Sequence, residues 1–127
     1  MDKFTCIAID DDKLFLRKLE AYIDEIDWLE LLGAYEHPIQ AATAIIRSEP
    51  DLLFLDIEMP HIDGYALLDW ILPRLKEFAT KPKIVVVSGS IDKLNYAHDE
   101  VLLTIPKPLI HEPEDLARMV WEVVKSA

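Results

Sequence analysis

The sequence has few of the residues that stabilise secreted or membrane-bound proteins. It contains a single cysteine, Cys6, which excludes an internal disulfide and lies in an apolar run typical of a buried thiol. No apolar run is long enough for a membrane-spanning helix. The apolar stretch near the N-terminus is too short for a signal peptide and leads into three aspartates. These absences predict a cytoplasmic protein without a membrane partner.

Basic residues are also scarce. The chain has 13 Lys and Arg against 24 Asp and Glu, which gives a formal net charge of −11. Direct nucleic-acid binding needs a basic surface, so this balance argues against it. The 127 residues, of which 51% are hydrophobic, predict one domain over residues 1–127 with one substantial core.

Short apolar segments rich in β-branched residues alternate with segments of helical periodicity. The predicted strands cover residues 4–9, 30–35, 52–55, 83–87 and 101–105. The predicted helices begin at Lys13, Pro38, Gly64, Ile91 and Pro113. This alternation with short connections predicts an α/β fold, a doubly wound five-stranded parallel sheet with helices on both faces.

Three details of this pattern make local predictions. In the second helix, Ile39, Ala42, Ile45 and Ile46 form the predicted apolar face. Pro73 is expected to kink or end the third helix, because proline lacks the backbone donor. The prolines that follow residues 101–105 place the fifth strand at a sheet edge.

Polar side chains follow four of the predicted strands. The pair Asp10 and Asp11, then Asp56 and Ser88, come directly after their strands, and Lys107 comes just beyond the fifth. Taken singly, each has an ordinary explanation as a turn or solvated-loop residue. Because the carboxyl ends of parallel strands meet at one edge, their joint occurrence predicts a shared site.

The residue types in this set indicate phosphoryl chemistry with a hard cation. Three converging carboxylates repel one another unless a cation neutralises them, and Mg²⁺ prefers oxygen ligands. A hydroxyl and an ammonium group beside the metal could bind phosphoryl oxygens. The central carboxylate, Asp56, could then act as a nucleophile and form an acyl phosphate.

Four motifs in this order resemble the receiver domain of two-component response regulators. They are IAIDDD at 7–12, DLLFLDIEMPHIDG at 51–64, VVVSGS at 85–90 and PKPL at 106–109. The resemblance implies a flavodoxin-like (βα)5 fold with strand order 2-1-3-4-5. It also implies a cis bond between Lys107 and Pro108.

The same resemblance implies the role of each site residue. Asp56 would be the phosphoacceptor, and Ser88 and Lys107 would bind the phosphoryl group. Asp11 would bind Mg²⁺ directly, Asp10 would assist through water, and Asp56 and the backbone carbonyl of Glu58 would complete the protein ligands. The side chains of Glu58 and Ser90 would flank the path of the water that removes the phosphoryl group.

The implied function is that of a signalling phosphoacceptor in a two-component phosphorelay. The phosphoryl donor would be a histidine kinase or a histidine phosphotransfer protein. The domain would catalyse its own phosphorylation and dephosphorylation and would otherwise not be an enzyme. Its last helix would offer a surface to an output domain, a protein partner or a second copy of the chain.

Other interpretations remain open at this point. A phosphatase or dehalogenase also uses a strand-end aspartate with Mg²⁺, and Glu58 stands where that class has a second acid. A receiver that has lost phosphorylation and serves only as a binding module is a third interpretation. Thr104 departs from the family pattern, which has an aromatic residue there. We therefore expect a small change at Thr104 on phosphorylation and a larger one over residues 90–99.

Overall fold

The computed structural model of the chain describes residues 3–59, 64–89 and 100–125. The strands are β1 (Phe4–Ile9), β2 (Leu29–Tyr35), β3 (Leu52–Asp56), β4 (Lys83–Ser88) and β5 (Val101–Pro106). The helices of the described part are α1 (Lys13–Asp24), α2 (Pro38–Ser48), α3 (Gly64–Leu75) and α4 (Pro113–Val124). A short 3-10 helix, Lys107–Leu109, follows β5. The helix predicted from Ile91 and the expected change over residues 90–99 lie outside the described residues.

The five strands form one parallel sheet in the order β2-β1-β3-β4-β5, which confirms the predicted flavodoxin-like topology. β5 lies at an edge, as its prolines predicted. None of the helices in the described part of the chain is both long and apolar enough to cross a membrane.

Alternate strand residues face two separate apolar clusters, one on each side of the sheet. On one side Cys6, Ala8 and Phe54 pack with α1 and α4. On the other side Ile7 and Leu53 pack with α2 and α3. Covering both faces explains why the interiors of β3 and β4 are continuous apolar runs, residues 52–55 and 84–87, as buried parallel strands require.

The predicted apolar face of α2 is partly wrong. Ile39 is 78% exposed, and Ile46 is also exposed. The buried face is instead Pro38, Ala41, Ala42 and Ile45, which follows the i, i+3, i+4, i+7 spacing from the first helical residue. Ala41 and Ala42 belong to the same apolar cluster as Ile7 and Leu53 of the sheet. Pro73 lies inside α3, which ends two residues later at Leu75.

The strand register brings the carboxyl ends of the strands level with one another. Ile9 pairs with Leu55, so Asp10 and Asp56 come next on adjacent strands. Asp56 pairs with Val87, and Ser88 pairs with Pro106, the residue before Lys107. The sheet therefore carries the four polar positions to one edge.

The predicted cis bond between Lys107 and Pro108 is wrong, since the bond is trans. The N–H of Ile110 donates to the carbonyl of Lys107 over 3.1 Å, which closes a tight turn with Pro108 at its second position. A trans proline is favoured at that position, whereas a cis proline belongs one position later in a turn.

Candidate functional site

Asp10 is the first residue after β1 and is 1% exposed. Its Oδ1 accepts a hydrogen bond from the backbone N–H of Asp12 over 2.9 Å. Its Oδ2 lies 2.7 Å from Lys107 Nζ and forms an ion pair with it. Burial raises the pKa of the Asp10 carboxyl, and the Lys107 ammonium and the Asp12 N–H partly oppose that rise.

Asp56 is the last residue of β3 and is equally buried. Its Oδ1 accepts a hydrogen bond from the backbone N–H of Glu58 over 3.0 Å. Burial raises the pKa of Asp56 to about 8, and the negative charge of Asp10 adds to that rise. Without a bound metal cation, the Asp56 carboxyl group therefore holds a proton around neutral pH.

Lys107 brings a positive charge to the two carboxylates from the far edge of the sheet. Its ammonium also lies over the ring of Phe15, with Nζ 4.6 Å from the ring centroid. Phe15 is in the first turn of α1 and is 7% exposed. A cation within about 6 Å of a ring centroid is attracted by the electrons of the ring face. The ring and Asp10 together fix the position of the Lys107 ammonium.

Ser88 ends β4 and is fully buried. Its hydroxyl donates a hydrogen bond to Glu58 Oε1 over 3.3 Å. Glu58 is half-buried and follows β3 by two residues. Its backbone thus contacts Asp56 while its side chain contacts Ser88.

Asp11 and Asp12 differ in role although both are exposed. Asp11 contributes a carboxylate to the cluster with Asp10 and Asp56. Asp12 is the N-cap of α1, and its Oδ1 accepts hydrogen bonds from the N–H groups of Leu14 and Phe15 over 3.0 and 3.2 Å. Capping fixes the start of α1 and with it the place of Phe15.

The carboxylate cluster fits a hard divalent cation. Asp10, Asp11 and Asp56 each offer one oxygen, and these oxygens lie within 4.8 Å of one another. Two ligands on opposite sides of Mg²⁺ are about 4.2 Å apart, twice the Mg–O distance, so small side-chain movements would suffice. Lys107 pairs with Oδ2 of Asp10 and supplies one positive charge, so a bound cation would be needed to neutralise the rest of the three carboxylates.

The structure thus brings together Asp10, Asp11, Asp56, Ser88 and Lys107, and places Glu58 among them. Ser90 lies outside the described residues. Sequence reasoning missed Phe15 and the capping role of Asp12. An aspartate directly before the first helical residue could have revealed the cap. The Phe15 contact depends on how α1 lies against β5 and has no sequence signal.

The chain is similar to proteins of a known family. The family model of the response regulator receiver domain matches residues 6–120. The protein-glutamate methylesterase/protein-glutamine glutaminase 2 of Burkholderia thailandensis is 31% identical over 128 residues, covering 95% of this chain and 35% of that protein. An uncharacterized response regulatory protein of Vibrio cholerae is 31% identical over 122 residues, covering 95% of this chain and 48% of that protein.

Solved structures agree on the fold. The crystal structure of the response regulator domain of CheB from Thermotoga maritima has a TM-score of 0.75 at 21% identity, covering 98% of this chain and 96% of that chain. This likeness concerns the fold alone. The chain spans about a fifth to a half of the length of the curated relatives it matches.

Proposed function

Because the chain belongs to the response regulator receiver domain family, we propose that it accepts a phosphoryl group on Asp56 in a two-component phosphorelay. The observation that supports this most strongly is the convergence of three carboxylates, a hydroxyl and an ammonium at one sheet edge. Asp56 is central among them, since it lies on β3 between Asp10 on one side and Ser88 on the other.

Each residue has a role in the proposed transfer. An oxygen of Asp56 attacks the phosphorus of a phosphohistidine, the phosphorus–nitrogen bond breaks, and its electron pair stays on the imidazole nitrogen. Lys107 and Ser88 bind oxygens of the transferred group, which positions it in line with Asp56. Asp10, Asp11, Asp56 and the Glu58 carbonyl would hold Mg²⁺. When bound, Mg²⁺ would neutralise charge on the carboxylates and on the phosphoryl oxygens.

The proposed partners follow from this chemistry. The donor is a histidine kinase or a histidine phosphotransfer protein in the cytoplasm, and the product is a regulatory acyl phosphate rather than a released metabolite. Exposed Trp121 and the outer face of α4 are available to an output domain, a protein partner or a second copy of the chain. Direct nucleic-acid or membrane contact is not part of the proposal.

Phe15 gives a prediction about how Lys107 is held. Replacing Phe15 with leucine removes the ring face beneath the ammonium, a contact worth about 1 kcal/mol. The rate of phosphoryl uptake from acetyl phosphate is expected to fall about fivefold, because Lys107 then occupies its productive position less often. Intact-mass time courses would measure the rate, and Mg²⁺ titration would show an unchanged affinity.

The matched control is Phe15→Tyr, which keeps an aromatic face at the same place. It should retain the wild-type rate. If Phe15→Leu and Phe15→Tyr slow uptake equally, then packing at this position matters and the cation–π contact does not.

The function itself is tested by incubating the protein with Mg²⁺ and acetyl phosphate and measuring the intact mass. We expect one phosphoryl group per chain, dependent on Mg²⁺ and lost slowly on removal of the donor. Steady hydrolysis of varied phosphate esters without an adduct would instead identify a phosphatase. Neither adduct nor turnover would identify a binding module that has lost the reaction.

A further inference from the structure

Glu58 connects the ends of two neighbouring strands. Its backbone N–H donates to Asp56 Oδ1 over 3.0 Å, and its side-chain Oε1 accepts from the Ser88 hydroxyl over 3.3 Å. Asp56 ends β3, and Ser88 ends β4, next to the strand partner of Asp56. Glu58 is half-buried, whereas the Ser88 side chain is fully buried. The Glu58 carboxylate therefore lies between solvent and the place where a group on Asp56 would meet Ser88.

A serine hydroxyl has one proton to donate. In this structure the Ser88 proton is directed to Glu58 Oε1. A carboxylate oxygen is a good acceptor for this proton, but 3.3 Å is long for a hydrogen bond from a hydroxyl, so an incoming oxyanion can displace Glu58. Before Ser88 can bind an oxyanion beside Asp56, its hydroxyl must stop donating to Glu58 and donate to that oxyanion instead.

We propose that the Glu58 side chain is a latch that holds the Ser88 hydroxyl in the unphosphorylated protein and is displaced when a phosphoryl group arrives. The proposal rests on the proposed function for the identity of that oxyanion. Glu58 is in this role a positioning residue, because it acts through Ser88. Its carboxylate opposes phosphoryl binding and so sets how strongly the domain responds.

A carboxylate near the site could also oppose an oxyanion by charge repulsion alone. Repulsion does not involve the Ser88 hydroxyl, whereas a latch requires it. Four proteins separate the two explanations: wild type, Glu58→Ala, Ser88→Ala and the double variant. The probe is beryllofluoride, a phosphoryl mimic, titrated at saturating Mg²⁺ and followed by fluorine NMR.

For a latch, Glu58→Ala tightens beryllofluoride binding about fivefold in the protein that has Ser88, consistent with loss of one competing hydrogen bond. In the Ser88→Ala background the same change has no effect. Glu36→Ala is the control, since it removes a carboxylate that follows β2 at the same sheet edge and forms an ion pair with Lys13. It should leave binding unchanged.

Equal tightening in both backgrounds would overturn the latch in favour of repulsion. No tightening in either background would contradict both the latch and the repulsion. Urea unfolding of the four metal-free proteins tests the contact without any ligand. The latch predicts that the single losses of stability sum to more than the loss in the double variant, and strict additivity would contradict it. Failure of the proposed function would appear separately, as absence of a phosphoryl adduct on wild type.

Discussion

In the absence of divalent cations, the free energy of unfolding is expected to fall as the pH rises from about 4 to about 8. Asp56 is a main cause of this fall, because burial and the nearby Asp10 raise the pKa of Asp56 to about 8 in the folded protein, and the raised pKa of Asp10 acts in the same direction. The ordinary pKa of an aspartate side chain is 3.8. Over this interval the folded protein holds a proton that the unfolded chain has released. Each pH unit then lowers stability by up to about 1.4 kcal/mol.

The Asp56→Asn variant is expected to lose the part of this dependence that Asp56 contributes, while the raised pKa of Asp10 leaves a remainder of the same sign. Its neutral amide replaces a carboxyl group that is protonated at low pH and charged at high pH. The variant should resemble wild type near pH 5 and exceed it in stability above pH 8. Urea unfolding in EDTA across this pH range measures both slopes. Equal slopes for the two proteins would show that Asp56 has an ordinary pKa.

Saturating Mg²⁺ should also flatten the wild-type dependence, because the cation replaces the proton in neutralising the cluster. The affinity for Mg²⁺ should increase with pH over the same interval for the same reason. A Mg²⁺ affinity independent of pH would contradict the placement of the cation beside Asp56.

The second large effect concerns Asp11. Replacing Asp11 with alanine is expected to abolish measurable Mg²⁺ binding and phosphoryl uptake, since it removes the exposed carboxylate of the cluster. The affinity for Mg²⁺ should fall at least about tenfold. Removing a residue that only supports a metal ligand already lowers metal affinity by about tenfold or more, and Asp11 is proposed to bind the metal itself. The fold should remain intact, and the metal-free protein should be as stable as wild type or more so, because one repulsive charge is gone.

Asp27→Ala is the matched control for Asp11→Ala. Asp27 is an exposed aspartate in the connection between α1 and β2, away from the cluster, and its loss changes the net charge equally. It should bind Mg²⁺ as wild type does. If Asp11→Ala still binds Mg²⁺ normally, or if Asp27→Ala loses binding as well, then the cation site lies elsewhere.

The sheet and the polar edge could be predicted from the sequence because both follow from strand periodicity. Apolar runs that stop at Asp10, Asp56 and Ser88 locate strand ends, and parallel topology places those ends together. Each observed strand starts or ends within one residue of its predicted bounds. The predicted end of β3 at Leu55 lies one residue before the observed end at Asp56, because the apolar run stops where the buried carboxyl group begins.

The side-chain contacts could not be predicted, because they depend on distances between elements far apart in the chain. The hydrogen bond from Ser88 to Glu58 needs the separation of β3 and β4, and the contact of Lys107 with Phe15 needs the position of α1. The exposure of Ile39 was missed for a local reason. Small alanines rather than large isoleucines form the buried face of α2, and hydrophobicity alone favours the larger residue.

The most direct test of the account is to locate the phosphoryl group. Protein treated with Mg²⁺ and acetyl phosphate is reduced with borohydride, which converts an aspartyl phosphate to homoserine, and is then digested and sequenced by mass spectrometry. We expect homoserine at position 56 in wild type and at no position in Asp56→Asn. Homoserine at Asp10, Asp11 or Asp51, or a phosphate on Ser88 in place of any homoserine, would contradict the assignment of Asp56 as the phosphoacceptor.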